Sequence, residues 1–572
     1  MSSKTLLKFS ESHSGIPVEE FTEQEAEILN RYVTTTDGNI FAWRLGDNFT
    51  PEQSGALLSR YSRTSFTSKQ LFLKEFYPNK DRGREFFEAW LVSYGDDSIQ
   101  EMAGGLPMSF EFVSNVMAKE IENGRIGSYI EKSTRYVPFD KRMSDGEYMF
   151  YRGPEITESR FGDDYLGLMR ELFGSYERNL PGMIKYISDL NPIADQTFRI
   201  GDRVVRISDL NSEIEERYGI AEKDITRAYE NASKANAYDL LRDYLPMSTL
   251  THIGASMNAR SYESLILRLR SLESKEAEWI AKCVYTELRK LAPSLIKRAY
   301  ERHGNEFSDF MKSRRGEARR LSASAIGGEK ADNRLDVQLD QFTGRGAPDP
   351  DTEAQVALSS VIMYDFASGQ SMEQLERVAR SMTEADRKRL IAAYVGNRTN
   401  RRHKPGRAFE NIEYQFDLMG RIGIYRDIQR HRMGTQERQD FTVRLGYNTR
   451  SEYSSVGISE DYKGLMGRVI ELHDKMHGTM PYQAQYVVTF GFNTRWYYRM
   501  NARQAFHLCE LRTTPGGHPD YRRLVQNMYY RIRDAHPTVA GHMGFVDLND
   551  RPLGRLESEV RIAEKKKALE KR

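Results

Sequence analysis

Apolar residues recur at helical spacing along most of the chain. Phe110, Val113, Met117 and Ile121 fall at i, i+3, i+7 and i+11, which predicts a helix running into Arg125. Leu418, Ile422 and Tyr425 repeat the i, i+4, i+7 spacing ahead of Arg430. Segments 165–187, 223–243, 276–303 and 460–477 also read as helices. Strand-like runs are shorter: Ile200 to Ile207 around a Gly-Asp turn, and Tyr486 to Phe490. The fold class expected is α+β and helix-rich.

The chain repeats itself. Met257-Asn258-Ala259-Arg260 recurs as Met500-Asn501-Ala502-Arg503, each before a helix-like segment with Arg near its end: Arg268 and Arg270, then Arg512. Upstream, Arg125-Ile126-Gly127-Ser128 recurs as Arg432-Met433-Gly434-Thr435, and Gly55–Ser59 resembles Val356–Ser360. Matches kept in one order indicate two divergent copies of one domain. Arg125 to Arg260 spans 135 residues and Arg432 to Arg503 spans 71, so the first copy carries an insertion of about 64, placed at about 140–223. The boundaries expected are 1–312 for the first copy, a linker at 313–354 rich in Arg, Gly, Ser and Asp, 355–550 for the second copy, and a charged tail at 551–572.

Composition narrows the function. In 572 residues, 84 Lys+Arg nearly balance 82 Asp+Glu, which argues against a nucleic-acid coater. Two cysteines, Cys283 and Cys509, exclude a disulfide-stapled fold and a multi-Cys metal centre. His473 and His477 stand at i, i+4 without an evident third ligand, so no metal is expected. No apolar run approaches the ~18 residues of a membrane helix, and the first residues lack an apolar leader. A cytoplasmic protein acting on small molecules, without nucleic acid or membrane, is the expectation.

Three segments carry chemistry. Arg430-His431-Arg432 flanks an imidazole with two guanidiniums, planar forks that suit phosphate or carboxylate. Glu131-Lys132-Ser133-Thr134-Arg135-Tyr136 gathers acceptors, donors and cations that could bind a phosphate and a polar base edge together. Asn501 to Arg512 reads as a helix with Ala502, Ala505, Phe506 and Cys509 as its apolar stripe. Arg503 and His507 lie on another face, and Asn501 and Arg512 share a face ~16 Å apart.

Together these segments resemble flavin-dependent thymidylate synthase. That family's signature is Arg-His-Arg, seven residues, then Ser, with Glu two before the Ser and Arg two after. Here it is split. The second copy keeps Arg430-His431-Arg432 but has Arg438, Asp440 and Thr442 at the later positions. The first copy keeps Glu131, Ser133 and Arg135 but has Asn123-Gly124-Arg125 in front. The family's Arg-x-x-Leu-Pro survives as Arg242 to Pro246, whereas the second copy has Gln485 at the Arg242 position.

The resemblance implies homotetramers whose sites combine segments of different chains, so a fused pair can divide the labour and a homodimer of the fusion would mimic the tetramer. It implies FAD held by Arg430, His431, Arg432, Asn501, Arg503 and His507, with Glu131 and Ser98 beside it. It implies dUMP bound by Glu131, Lys132, Ser133, Thr134, Arg135, Arg242 and Arg430, with Arg512 at the uracil edge stabilising charge on the ring. Methylene-tetrahydrofolate and NADPH would be co-substrates, and the product would be dTMP. This chain has Asp427 where the family has Gln, Asp96 where it has His before Ser98, and His518 two residues later than the family's His. Asp427 leaves open a C5-modifying enzyme on another pyrimidine nucleotide. A non-catalytic flavin- or nucleotide-binding protein is the remaining reading, distinguished by whether the protein holds flavin.

Overall fold

Each copy builds the same four-stranded antiparallel sheet. In the first, β1 (Ile40–Ala42), β2 (Leu106–Ser114), β3 (Ser128–Glu131) and β4 (Leu250–Met257) lie in the order β1-β2-β4-β3. In the second, β5 (Val337–Phe342), β6 (Glu413–Arg421), β7 (Thr435–Arg438) and β8 (Asn493–Asn501) lie in the order β5-β6-β8-β7. Identical order confirms an α+β fold of two divergent copies. The structure is a computed structural model and describes residues 9–10, 18–46, 48–79, 102–200, 203–210, 215, 217–333, 336–551 and 553–570.

The helices follow the same plan. The first copy has α1 (Pro51–Tyr61), α2 (Asn115–Ile121), α3 (Gly162–Leu190), α4 (Glu222–Leu241) and α5 (Ala259–Arg270). The second has α6 (Pro350–Tyr364), α7 (Ile422–Ile428), α8 (Ser459–His477), α9 (Ala502–Arg512) and α10 (Pro519–Ala535), followed by a last helix, α11 (Leu556–Glu570).

The repeated sequences sit at the joints of this plan. Asn258 follows β4 and caps α5, its Oδ1 accepting from the Ser261 amide at 2.9 Å; Asn501 ends β8 and caps α9 through the Gln504 amide at 2.8 Å. Such a cap contributes about 1 kcal/mol and fixes where the helix starts. The glycines of the Arg-x-Gly repeat lie flush against the central strands. A Cβ at Gly127 would stand 2.6 Å from Met257 Cγ, and one at Gly434 2.0 Å from Tyr498 Cε2. Gly55–Ser59 and Val356–Ser360 are the buried turns of α1 and α6.

Several expected elements change. Phe110 and Val113 lie in β2, and Leu418 lies in β6; only Met117, Ile121, Ile422 and Tyr425 are helical. β2 is buried at nearly every position, so its sequence shows no two-residue alternation and its apolar residues imitate a helical period. A bulge between Phe110 and Val113 gives Phe112 a φ of 57°, and its amide donates to His252 Nδ1 at 3.1 Å. The run from Tyr486 to Phe490 is a 3₁₀ turn with one bridge, not a strand. The helix expected at 276–303 ends at Arg289, ahead of Pro293. The stretch expected as linker holds the end of a helix to Ile326 and the whole of β5, an edge strand whose polar positions resemble a loop. Helices at 162–190, 222–241 and 459–477 and the hairpin Thr197–Ile200 with Arg203–Arg206 agree with the sequence reading.

Compact units do not follow chain order. The first takes in the chain to Lys330, Asn448–Gly491 and the chain from Leu556; the second takes in Ala331–Tyr447 and Phe492–Arg555. The second copy therefore lends a segment to the first unit, where α8 packs on α3. Equivalent turns of the two copies bond reciprocally there. Met247 N donates to Val488 O at 2.8 Å and Phe490 N to Leu245 O at 2.9 Å; Ser248 N donates to Tyr486 O and Gly491 N to Asp243 O. Tyr244, Tyr453 and Tyr462 form an aromatic cluster beside them. The charged tail is also no loose end: α11 docks on α4 and the Thr197–Ile200 strand through buried Leu556 and Val560.

A buried ion pair ties the lent segment down. Arg450 Nε lies 2.6 Å from Asp243 Oδ2, with side chains 6% and 1% exposed. Arg450→Met leaves a buried carboxylate without its cation and should lower unfolding free energy by about 3–5 kcal/mol. Denaturant unfolding measures this, and adding Asp243→Asn should recover most of the loss.

Candidate functional site

The second unit builds the Arg-His-Arg half. The tripeptide lies in the turn between α7 and β7, so its side chains diverge: Arg430 is exposed, His431 buried and Arg432 half-buried. The His431 carbonyl accepts from Gln436 Nε2 at 2.8 Å and from the Tyr498 hydroxyl at 3.1 Å, which locks the turn onto β8. Arg512, on the last turn of α9, donates through Nε to His431 Nε2 at 2.7 Å. An imidazole nitrogen that accepts carries no proton, so the ring is neutral with its hydrogen on Nδ1. Burial and the nearby Arg512 push the His431 pKa well below its ordinary value.

The same helix carries the other expected residues. Ala502, Ala505, Phe506 and Cys509 are its buried stripe, as expected, and burial pushes the Cys509 thiol up. His507 is half-buried with its ring 5.4 Å from that of His431. Arg503 turns the other way, donating to the Pro405 carbonyl at 2.9 Å and lying 3.4 Å from Glu410. Asp427 stands 3.9 Å from Arg512. This chain's departure at 427 thus puts a carboxylate beside the guanidinium expected at the uracil edge.

The first unit builds the other half. The expected nucleotide-binding run follows β3. Ser133 Oγ accepts from the Arg135 amide at 3.2 Å, and Ser133 N bonds to the Ser62 carbonyl at 3.1 Å. Arg135 pairs with Asp239 through Nε at 2.7 Å, and Arg242 stands 3.7 Å from the same carboxylate. Asp239 thereby joins the two arginines that the sequence places 107 residues apart. Glu131 turns into the core instead: it is buried and bonded to Lys119 at 3.0 Å. Thr134 and Lys132 are buried too, and burial lowers the Lys132 pKa to about 8. Ser98 lies outside the described residues.

A cleft of about 320 Å³ opens beside this run. Arg60 and Arg63 from the end of α1, Arg135 and Tyr136, and Lys234 and Tyr238 from α4 line it. Four cations and two aromatic rings suit an anion that carries a flat ring, and the volume falls in the range of small-ligand sites. Sequence reading missed Arg60, Arg63 and Tyr238. Arg60 and Arg63 stand i, i+3 at a helix end, which signals a shared face but not a ligand.

Each copy has lost what the other keeps. In α5, the position matching Arg512 is Leu269, fully buried, and the position matching His507 is Ser264. In the second copy Arg438 stands where the first has Glu131, with its guanidinium 4.0 Å from the Phe441 ring.

Comparison with protein families places both halves of this doubled domain in one family. The chain belongs to the thymidylate synthase complementing protein family, whose model matches residues 45–294 and again 348–538. A UPF0159 protein of Chlamydia pneumoniae is 32% identical over 95% of this chain and 98% of its own length. A UPF0159 protein of Thermoplasma acidophilum is 33% identical over 89% and 98%. The crystal structure of a UMP/dUMP methylase from Streptomyces cacaoi bound with 5-Br dUMP matches 38% of this chain and 96% of its own. Its identity is 15% and its TM-score 0.28, too loose an overlap to bear on function.

The neutral His431 has a consequence for pH. Its folded pKa lies well below the unfolded value of 6.5, so below that value the unfolded chain takes up a proton the folded one refuses. The stability His431 contributes is present above pH 6.5 and drains away as pH falls. His431→Gln keeps an acceptor for Arg512 but cannot titrate. Its urea midpoint should therefore fall less steeply between pH 7 and 5.5 than that of the wild type.

Proposed function

We propose that this protein is an FAD-dependent thymidylate synthase that converts dUMP to dTMP. Methylene-tetrahydrofolate supplies the carbon, and reduced nicotinamide supplies the two electrons that take it from the methylene to the methyl level. The observation that carries this reading is the complementary loss: the nucleotide-binding half survives in the first copy and the Arg-His-Arg half in the second. Random decay would not leave one full set.

The residues divide by role. Arg135 and Arg242, joined by Asp239, hold the nucleotide phosphate with Ser133. Arg512, oriented by its bond to His431, faces negative charge developing on the pyrimidine ring. The donor set of the second unit suits a flavin dinucleotide: Arg430 and Arg432 match an anionic pyrophosphate, and the His431 and His507 rings, tilted to each other with centroids 5.4 Å apart, add polar aromatic edges beside them. When bound, FAD supplies the redox chemistry between nicotinamide and nucleotide. Two copies per chain favour a homodimer as the working assembly, and the buried thiol of Cys509 suits a reaction without a cysteine nucleophile.

One observation favours a second reading. The Asp427 carboxylate beside Arg512 accepts hydrogen bonds, which suits a ring edge that donates, as the cytosine amine does, better than the O4 of uracil. Methyl transfer to dCMP rather than dUMP by the purified protein would favour it.

Rescue of a thymidine-requiring bacterium tests the proposal. The wild-type gene should restore growth without thymidine, and Arg135→Ala and Arg432→Ala should each abolish it. Rescue that survives either substitution would show that half to be dispensable. A purified protein that is colourless and takes up no flavin would defeat both enzyme readings.

A further inference from the structure

The helix Arg302–Ile326 belongs to the first unit but is barely held by it. It runs 25 residues, about 37 Å, yet its buried residues are Gly304 and Ser308, neither of which buries an apolar side chain. A helix in water draws most of its stability from an apolar face packed on something. This one has such a face and turns it to solvent. Phe307, Met311, Arg314, Ala318, Leu321 and Ala325 follow one another at alternating steps of four and three, the period of a coiled-coil seam with one polar position. Phe307 and Leu321 are 42% and 52% exposed, and Met311 is half-buried. A different side meets the first unit. Lys312, Arg315 and Arg319 line one hollow with Ser271, Glu273 and Tyr482, and Arg319 lies 3.5 Å from Glu273. That side is about 110° round the helix from the seam.

Charge and size along the helix decide what fits the seam. Residues 301–311 carry three carboxylates and one guanidinium, whereas 312–326 carry five cations and one carboxylate. We propose that a second copy of this chain covers the seam, the two Arg302–Ile326 helices pairing antiparallel about a two-fold axis level with Gly316. In that register Phe307 and Arg314 each face an alanine of the second copy, Ala325 and Ala318, and Met311 faces Leu321, so large and small side chains interdigitate. The acidic half of each helix then lies along the basic half of the other. Parallel pairing would set Phe on Phe, Ala on Ala, and cations beside cations. A two-fold contact needs a self-complementary surface, and this helix is one only when antiparallel. The pairing gives a surface to the homodimer proposed above; it rests on that part of the reading and is independent of the nucleotide.

Disulfide cross-linking of the full-length protein tests the register. Phe307→Cys and Ala325→Cys are made singly in a Cys283→Ser background, which leaves the buried Cys509 as the other thiol. Co-expressed, the two variants should give a disulfide-linked dimer under mild oxidation, and neither should do so alone. A link in each variant alone means parallel pairing, and no link in the mixture means no pairing; either overturns the proposal. Leu321→Glu, at an exposed position, should lower the mass of the wild-type assembly by about half in sedimentation velocity, at unchanged far-UV circular dichroism. An unchanged mass overturns the proposal. So does a monomeric wild type, and if that monomer retards a DNA duplex the basic half serves nucleic acid instead. Failure of thymidine rescue with the cross-link intact removes the substrate reading alone.

Discussion

The first unit depends on a reciprocal set of backbone hydrogen bonds between equivalent turns of the two copies. Residues 243–248 and 486–491 each leave amides and carbonyls inside the protein, where an unmet group costs about 1–3 kcal/mol. Neither turn satisfies them alone. Met247 meets Val488 and Phe490 meets Leu245, so each copy completes the other. That mutual need explains why the compact units cut across chain order and why Asn448–Gly491 leaves its own copy. Side chains break the symmetry around this pairing. Asp243 bonds to Arg450, whereas Tyr486, at the position equivalent to Asp243, donates to Glu276 at 2.7 Å. The pairing therefore prefers unlike copies.

Once that pairing is made, the copies are free to diverge in chemistry. Asn caps and flush glycines are kept in both because they fix strand-to-helix and helix-to-strand joints that either half needs. The functional groups are not kept. Leu269 fills the place of Arg512 because a hydrophobic side chain stabilises a helix that has no ligand to meet. His431 stays neutral because it is buried among guanidiniums, and its lone pair then fixes the direction of Arg512. Asp427 adds a second hold on the same guanidinium. Through these two contacts the second copy holds one cation in one orientation.

The doubled domain and the residues of the candidate site were legible in the sequence, and the reasons for the remainder are physical. The motif split is a matter of residue identity at fixed spacing, so it needs no coordinates. Where an element is half-buried, periodicity also served: α3, α4 and α8 show a helical stripe because one face meets solvent. It failed at β2, which is buried at nearly every position. Residues buried on both faces lose the alternation that marks a strand, and their apolar runs imitate a helix. Glu131 belongs to the family pattern, yet its carboxylate points at Lys119 inside the core, a direction that only neighbouring side chains decide.

By itself the sequence determined that one domain is doubled, which half of the signature each copy keeps, and that no cysteine framework holds it. These are local facts of identity and spacing. Only the tertiary structure decided which segments share a unit, that Asp239 joins Arg135 to Arg242, and that the charged C-terminal stretch lies against the basic cleft. Such contacts bring together residues about one hundred to five hundred positions apart, as Arg135 with Asp239 and Glu559 with Arg60. They arise because burying apolar surface and satisfying backbone groups choose partners by shape and depth in the folded chain, and no spacing in the sequence records that choice.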